Sequence, residues 1–160
     1  MNWKWVLPIA ILLLPACSDV STTLPDGAAC QGVYCDRPFL DALGMDPFYQ
    51  KYVDAGGIPV ISSEKVLDPA LLQAREIVEK MLVHRPDIRE VMVANGAYVG
   101  IMARTEVTTD IPEHRHLAND PNTDWNKRAR GLGGAPNNPI TTAGEATHEA
   151  ALGQGLWADT

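Results

Sequence analysis

Residues 58–103 read IPVISSEKVLDPALLQAREIVEKMLVHRPDIREVMVANGAYVGIMA, and this stretch decides the fold. It opens with a short apolar run, Ile58 to Ile61, which is typical of a strand. Asp68-Pro69 then supplies a capping side chain and a first-turn proline, the usual start of a helix. Apolar residues follow at helical spacing, so we predict a helix that packs on a sheet through Ala70, Leu71, Ala74, Ile77, Val78, Met81 and Leu82.

A second helix and a second strand complete the stretch. Pro86 to Ala94 is predicted to form a shorter helix that stops at Asn95-Gly96. Tyr98 to Ala103, YVGIMA, has the composition of a buried strand. The order strand, helix, helix, strand predicts an α+β fold, an α/β-like layer in which the helical stripe covers the sheet.

The chain begins with a sequence typical of an export signal. Residues 1–17, MNWKWVLPIAILLLPAC, contain one early positive charge, an apolar run and a small residue before a cysteine. The apolar run is about half of the roughly 20 residues that a spanning helix needs. Its ending resembles the lipobox of bacterial lipoproteins, which implies removal of residues 1–16 and acylation of Cys17. Ordinary secretion with an unmodified Cys17 is the alternative.

Export sets the expected location and the state of the other cysteines. We expect a bacterial cell-envelope protein anchored by its lipid in the outer membrane and facing the periplasm, or a secreted protein if no lipid is attached. In such an oxidising compartment, Cys30 and Cys35 are predicted to form a disulfide that ties a tether, residues 17–44, to the folded body. The alternative, a zinc ribbon, would need a second cysteine pair.

The mature chain is acidic and has the size of one domain. Residues 17–160 number 144, with 12 basic and 20 acidic side chains and a net charge of −8. Nucleic acid is therefore an unsuitable partner, because its binding requires a basic face that releases counterions.

A long Pro-, Gly- and Asn-rich region follows Ala103, and we expect it to pack over the surface and shape a groove. Within it, Glu113, His114 and His116 are clustered like metal ligands, and on an extended segment both histidines would point to one face. Two ligands do not make a zinc site and the sequence assigns no third, so these residues remain candidates only. The alternative is a solvated loop or hydrogen bonds to nearby backbone.

Two other motifs in this region have competing interpretations. Trp125 with Lys127, Arg128 and Arg130 indicates either an anion contact or a short helical turn whose arginines lie in water. Residues 131–134, GLGG, lack the spacing and the lysine of a phosphate loop, so we predict that these glycines provide tight backbone bends.

Four segments together resemble a group of exported zincin-like proteins: DPFYQKYVDAGGIPVISSEKV (46–66), ALLQAREIVEKML (70–82), TTDIPEH (108–114) and RARGLGG (128–134). The resemblance covers residues 45–145. It implies a zincin fold and a zinc-dependent hydrolase acting on peptides. Two histidine ligands and a glutamate base would lie on a His-Glu-x-x-His helix, with a further ligand downstream.

The chain departs from this pattern after Gly144-Glu145, where it reads ATHEAALGQGLWADT. His148-Glu149 is followed by Leu152 at the position of the second histidine. The piece EAALGQGLW resembles a segment that follows the zinc helix in such proteins. We therefore interpret residues 146–160 as a helical remnant and residues 45–145 as the N-terminal part of an incomplete zincin-like domain.

These observations favour a lipid-anchored, zincin-like protein related to zinc peptidases but inactive in this form. We assign no catalytic residue, metal ligand or cofactor to the chain, although zinc is implied for complete members of the group. The alternatives are a non-catalytic binding or structural lipoprotein of the envelope, and an active enzyme that uses Glu113, His114 and His116. The lipid implies a membrane contact, and a peptide or protein partner is left unidentified.

Overall fold

The computed structural model describes residues 30–145, which form an α+β fold around a six-stranded mixed sheet, as the sequence predicts. The strands lie in the sheet in the same order as in the chain. They are β1 Cys30–Gln31, β2 Tyr34–Cys35, β3 Lys51–Asp54, β4 Pro59–Ser62, β5 Tyr98–Met102 and β6 Ile140–Gly144. Strands β1 to β4 pair antiparallel, whereas β4, β5 and β6 pair parallel.

Two helices connect β4 to β5, which confirms the predicted strand–helix–helix–strand order. Each has a proline in its first turn, where a backbone N–H has no intrahelical partner. The second ends at Ala94 with Asn95 as its C-cap, and Gly96 follows with a φ of 67°, a left-handed conformation that glycine adopts without strain. The α-helices are α1 Arg37–Ala42, α2 Asp68–Leu82, α3 Pro86–Ala94 and α4 Trp125–Arg128, and two 3-10 helices span Thr108–Asp110 and Pro112–Asn119.

The sheet carries a hydrophobic core on each face, because successive side chains of a strand point to opposite sides. Beneath α2, Leu71 is fully buried against Val60 and Ile101 of β4 and β5. The opposite face is covered by α1 and by the region after β5. Its buried members are Cys30, Phe39, Leu40, Tyr49, Tyr52, Ile61, Met102, Ile111 and Ile140.

The folded body includes residues that the sequence assigns to the tether. Strands β1 and β2 extend the sheet beyond β3, and Phe39 and Leu40 of α1 are buried in the core. Residues 30–44 therefore belong to the domain rather than to a linker. The remaining tether, with Cys17, lies outside the described residues.

A disulfide joins Cys30 and Cys35, as predicted. The two residues are directly opposite each other in the β1–β2 hairpin, with their Cα atoms 4.0 Å apart. The bond closes only a short loop and so restricts the unfolded chain little, which corresponds to a stabilisation of about 2 kcal/mol.

The predicted burial of the α2 stripe is wrong at two positions, because Ile77 is 50% exposed and Met81 is 74% exposed. The apolar residues of α2 form two adjacent rows rather than one. Leu71, Val78 and Leu82 lie in the row that packs on the sheet. Ile77 and Met81 lie in the neighbouring row, which is turned away from the sheet.

The glycines of residues 131–134 do not form tight bends, since none of these four residues lies in a turn or a bend. This segment runs along the edge of the sheet beside β6, where the Thr142 N–H donates to the Leu132 carbonyl at 2.8 Å. A Cβ on Gly131 would lie 2.6 Å from the Thr142 carbonyl oxygen. Glycine is needed at this position because the two backbones approach too closely for a side chain.

Gly131→Ala is expected to destabilise the fold by about 1–3 kcal/mol, the usual cost of forcing an extra group into a packed site. Gly133→Ala is the matched control, because a Cβ there meets no atom within 4 Å. Thermal unfolding followed by circular dichroism measures both variants. Equal midpoints for the two would contradict the close approach to β6.

Candidate functional site

The loops that follow β4 and β5 meet at one edge of the sheet, because these strands are parallel neighbours. In open α/β sheets, ligands commonly bind outside the carboxyl ends of the parallel strands. This edge is therefore the candidate binding region of the described domain.

A buried carboxylate joins the two loops. Glu106, which is 1% exposed, accepts a hydrogen bond from the Ser63 hydroxyl at 2.6 Å and from the Ala103 N–H at 2.7 Å. The ammonium of Lys65 lies 3.9 Å from the same carboxylate. Glu106 thus fixes the position of the loop after β4 relative to the loop after β5.

Arg130 supports the same edge from the region before β6. Its guanidinium donates to the backbone carbonyls of Glu106 at 2.9 Å and Ala103 at 3.0 Å. The expectation that the arginines near Trp125 lie in water is therefore wrong for Arg130. It holds for Arg128, which is exposed and lies over the Trp125 ring at 5.7 Å in the predicted helical turn.

The end of β6 also reaches this edge. The Glu145 N–H donates to the Met102 carbonyl at 2.7 Å, and its carboxylate accepts from the Leu67 N–H at 3.4 Å. A carboxylate at the start of α2 is favourable, because the helix N-terminus carries a partial positive charge. The predicted helical remnant, residues 146–160 with His148-Glu149, lies outside the described residues.

A cleft of about 440 Å³ opens over these loops, and its volume is typical of a site for a small ligand or a few residues of peptide. Positive and negative side chains and one aromatic ring line it together. The lining residues are Phe48, Lys65, Glu106, Thr109, Asp110, Arg115 and Ala118.

A second cleft of about 400 Å³ adjoins the first, since Thr109 and Ala118 line both. Its wall is the acidic loop between the second 3-10 helix and α4. In this loop the Trp125 indole N–H donates to the Asp120 carboxylate at 2.9 Å. The long region after Ala103 thus shapes a groove, in agreement with its composition.

The three candidate metal ligands do not converge. They lie on the 3-10 helix Pro112–Asn119 rather than on an extended segment, so the two histidines point in different directions. Glu113 accepts hydrogen bonds from the Tyr49 hydroxyl at 2.6 Å and the Tyr98 hydroxyl at 2.9 Å. Among residues 30–145, no group of three or more His, Cys, Asp or Glu side chains could hold a metal ion.

His114 is buried and His116 is exposed. The Nε2 of His114 lies 3.2 Å from the Thr142 hydroxyl of β6, so this side chain connects the 3-10 helix to the sheet. Burial lowers the pKa of His114, although the neighbouring Glu113 carboxylate opposes that shift. Burial and the hydrogen bonds to Glu113 raise the pKa values of Tyr49 and Tyr98, which keeps both phenols protonated as donors.

The lowered pKa of His114 predicts a loss of stability on acidification. In the unfolded chain this imidazole takes up a proton near its ordinary pKa of about 6.5, whereas in the folded chain it does so only at lower pH. The stability that the neutral His114 imidazole gives to the folded domain is therefore complete above pH of about 6.5, and it decreases as the pH falls.

We expect the free energy of unfolding to fall more steeply with decreasing pH in the native sequence than in His114→Asn. Urea unfolding at a series of pH values measures this slope. His84→Asn, at an exposed position between α2 and α3, is the control and should keep the native slope. An unchanged slope in His114→Asn would contradict the assignment.

Comparison of the chain with protein-family models, curated proteins and solved structures finds no match. Within the described part of the chain, no helix is long and apolar enough to cross a membrane. The function is therefore inferred from the sequence and from the geometry of the two clefts.

Proposed function

We propose that this protein is an exported, lipid-anchored protein of the bacterial cell envelope that binds peptide segments without hydrolysing them. The observation that carries the proposal is the cleft at the carboxyl ends of β4 and β5. The exposed cations Lys65 and Arg115 line it together with Asp110 and Phe48.

A peptide suits this lining better than a uniformly charged or wholly apolar ligand. Its backbone offers hydrogen-bond donors and acceptors, and its ends and side chains offer both signs of charge and apolar surface. Orientation within such a site comes from a few polar groups, and apolar contacts supply affinity. The adjoining cleft beside Trp125 extends the groove for a longer segment.

Binding without hydrolysis is consistent with the roles of Glu113 and His114. Both side chains make hydrogen bonds to other parts of the domain, Glu113 with two tyrosines and His114 with β6. A zincin-like ancestry remains part of the proposal and rests on the four sequence segments. Zinc chemistry would require the histidine pair that Leu152 interrupts.

The binding function can be tested with the mature chain, residues 17–160, carrying Cys17→Ser to prevent acylation. Pools of short peptides with free termini are added to the nitrogen-15-labelled protein, and amide chemical shifts are recorded. We expect shifts at Lys65, Thr109 and Arg115 and none at Glu90 on the exposed side of α3. Mass spectrometry should recover the peptides intact. Shifts absent from the cleft at millimolar peptide, or cleaved peptides, would overturn the proposal.

The lipid anchor is tested on the chain with its native residues 1–16. Metabolic labelling with a fatty acid in a bacterial host should modify the protein, and Cys17→Ser should abolish the label. Mass spectrometry of the exported protein should show Cys17 as its first residue. Retention of residues 1–16, or an unmodified Cys17, would contradict this part of the proposal.

A further inference from the structure

Lys65 has hydrogen-bonding capacity that the fold does not use. Its side chain is 66% exposed, and the nearest carboxylate oxygen, on Glu106, lies 3.9 Å away. That distance is too long for a hydrogen bond, although the two charges still attract each other. The ammonium therefore keeps its N–H donors available to a ligand in the cleft.

Glu106 does not depend on Lys65. Its carboxylate already accepts two short hydrogen bonds, one from the Ser63 hydroxyl and one from the Ala103 N–H. These donors stabilise the buried negative charge from within the domain. Lys65 can thus turn toward a ligand while Glu106 stays hydrogen-bonded.

Arg115 is the second such cation. Its side chain is 55% exposed, and one nitrogen of its guanidinium lies 3.5 Å from an Asp46 oxygen. A guanidinium has five N–H donors arranged in a plane, and they match the two oxygens of a carboxylate. The remaining donors of Arg115 are therefore suited to a two-point contact with such a group.

We propose that the cleft binds the C-terminal carboxylate of a peptide between Lys65 and Arg115. This inference rests on the proposed peptide-binding function and names the part of the peptide that is recognised. A carboxylate held by an arginine and a lysine makes charge-assisted hydrogen bonds, which are shorter and stronger than neutral ones. Phe48 lines the same cleft and offers apolar surface to the last side chain of the peptide.

A single carboxylate suits the cleft better than a group with two negative charges. Lys65 lies 3.9 Å from a Glu106 oxygen and Arg115 lies 3.5 Å from an Asp46 oxygen, so each cation is already partly balanced. A monoanion can pair with both Lys65 and Arg115. A phosphate group with nearly two negative charges would experience more repulsion from the resident carboxylates.

The test measures by calorimetry the affinity of the mature chain with Cys17→Ser for three versions of one peptide found in the pools. The first version has a free C-terminus, the second has an amidated C-terminus, and the third is amidated but carries a glutamate one residue before the end. We expect amidation to weaken binding about tenfold, as for a lost charge-assisted contact of about 1.4 kcal/mol. The glutamate should not restore the affinity.

Charge-removing variants locate the contact. In Lys65→Gln and in Arg115→Gln, the free and amidated peptides should bind with more similar affinities than in the native sequence. Lys80→Gln, on the exposed surface of α2, is the matched control and should retain the full difference. Both cleft positions are exposed, and circular dichroism checks that the variants fold.

Each outcome decides between the two proposals. Equal binding of the free and amidated peptides overturns C-terminal recognition and leaves the peptide-binding function intact. If the glutamate restores the affinity of the amidated peptide, C-terminal recognition is overturned and the cleft recognises an acidic side chain instead. If no peptide of the pools binds, the peptide-binding function itself fails.

Discussion

Leu71→Ala is expected to lower the free energy of unfolding by about 2–5 kcal/mol, because it removes a fully buried side chain from beneath α2. Leu71 packs with Val60 and Ile101 in the core that joins the helix to the sheet. The lost contacts and the cavity that remains both contribute to this cost. Urea unfolding followed by circular dichroism measures it, and an unchanged urea dependence would show that the unfolded state is unaffected.

Leu72→Ala is the matched control, because it makes the same chemical change one residue away at a side chain that is 39% exposed. We expect a cost of less than about 1 kcal/mol there, since little apolar surface leaves the core. Ile77→Ala should cost about as little as Leu72→Ala, because half of the Ile77 side chain is already in contact with solvent. Similar losses at positions 71 and 72 would contradict the orientation of α2.

The sequence predicts the local elements of residues 58–103 well because each has a strong local cause. Proline starts both helices, Asn95-Gly96 ends the second, and apolar runs mark β4 and β5. Which face of α2 lies against the sheet depends on tertiary packing and not on a local signal. Both of its rows contain large apolar residues, and the position of the sheet determines which row is buried.

Two of the strands that the sequence does not predict are very short, and a third begins with a misleading residue. β1 and β2 have two residues each, too few to show an alternating pattern. β3 begins with Lys51, whose charge argues against a buried strand until its partner is known. That partner is Asp68, at 2.6 Å and 17 residues away in the chain. A buried lysine of this kind can be anticipated only when the contact between β3 and the start of α2 is known.

The candidate site illustrates the same limit. The sequence nominates Glu113, His114 and His116 because they are close together in the chain. On a 3-10 helix, however, residues two positions apart point in different directions, so the two histidines do not align. Ser63 and Glu106, which hold the edge of the cleft together, are 43 residues apart. Only the parallel pairing of β4 with β5 brings their loops into contact.

Glu106→Ala is expected to destabilise the domain by about 2–6 kcal/mol, because two buried donors lose their acceptor at a cost of about 1–3 kcal/mol each. The Ser63 hydroxyl and the Ala103 N–H would both lose their acceptor in a place that water reaches poorly. Glu64→Ala is the control, because Glu64 is exposed in the same loop and should change the free energy of unfolding by less than about 0.5 kcal/mol.

Glu106→Gln separates the effect of losing the charge and a hydrogen bond from the effect of losing side-chain volume. The amide fills the same space, and its oxygen can accept one of the two hydrogen bonds. Its NH₂ group would then face the second donor, and Ser63 can rotate its hydroxyl to accept where the Ala103 N–H cannot. Glutamine should therefore cost less than alanine but more than the Glu64 control, with its amide oxygen toward Ala103. A glutamine variant as stable as the native sequence would show that the charge of Glu106 contributes nothing to holding the two loops together.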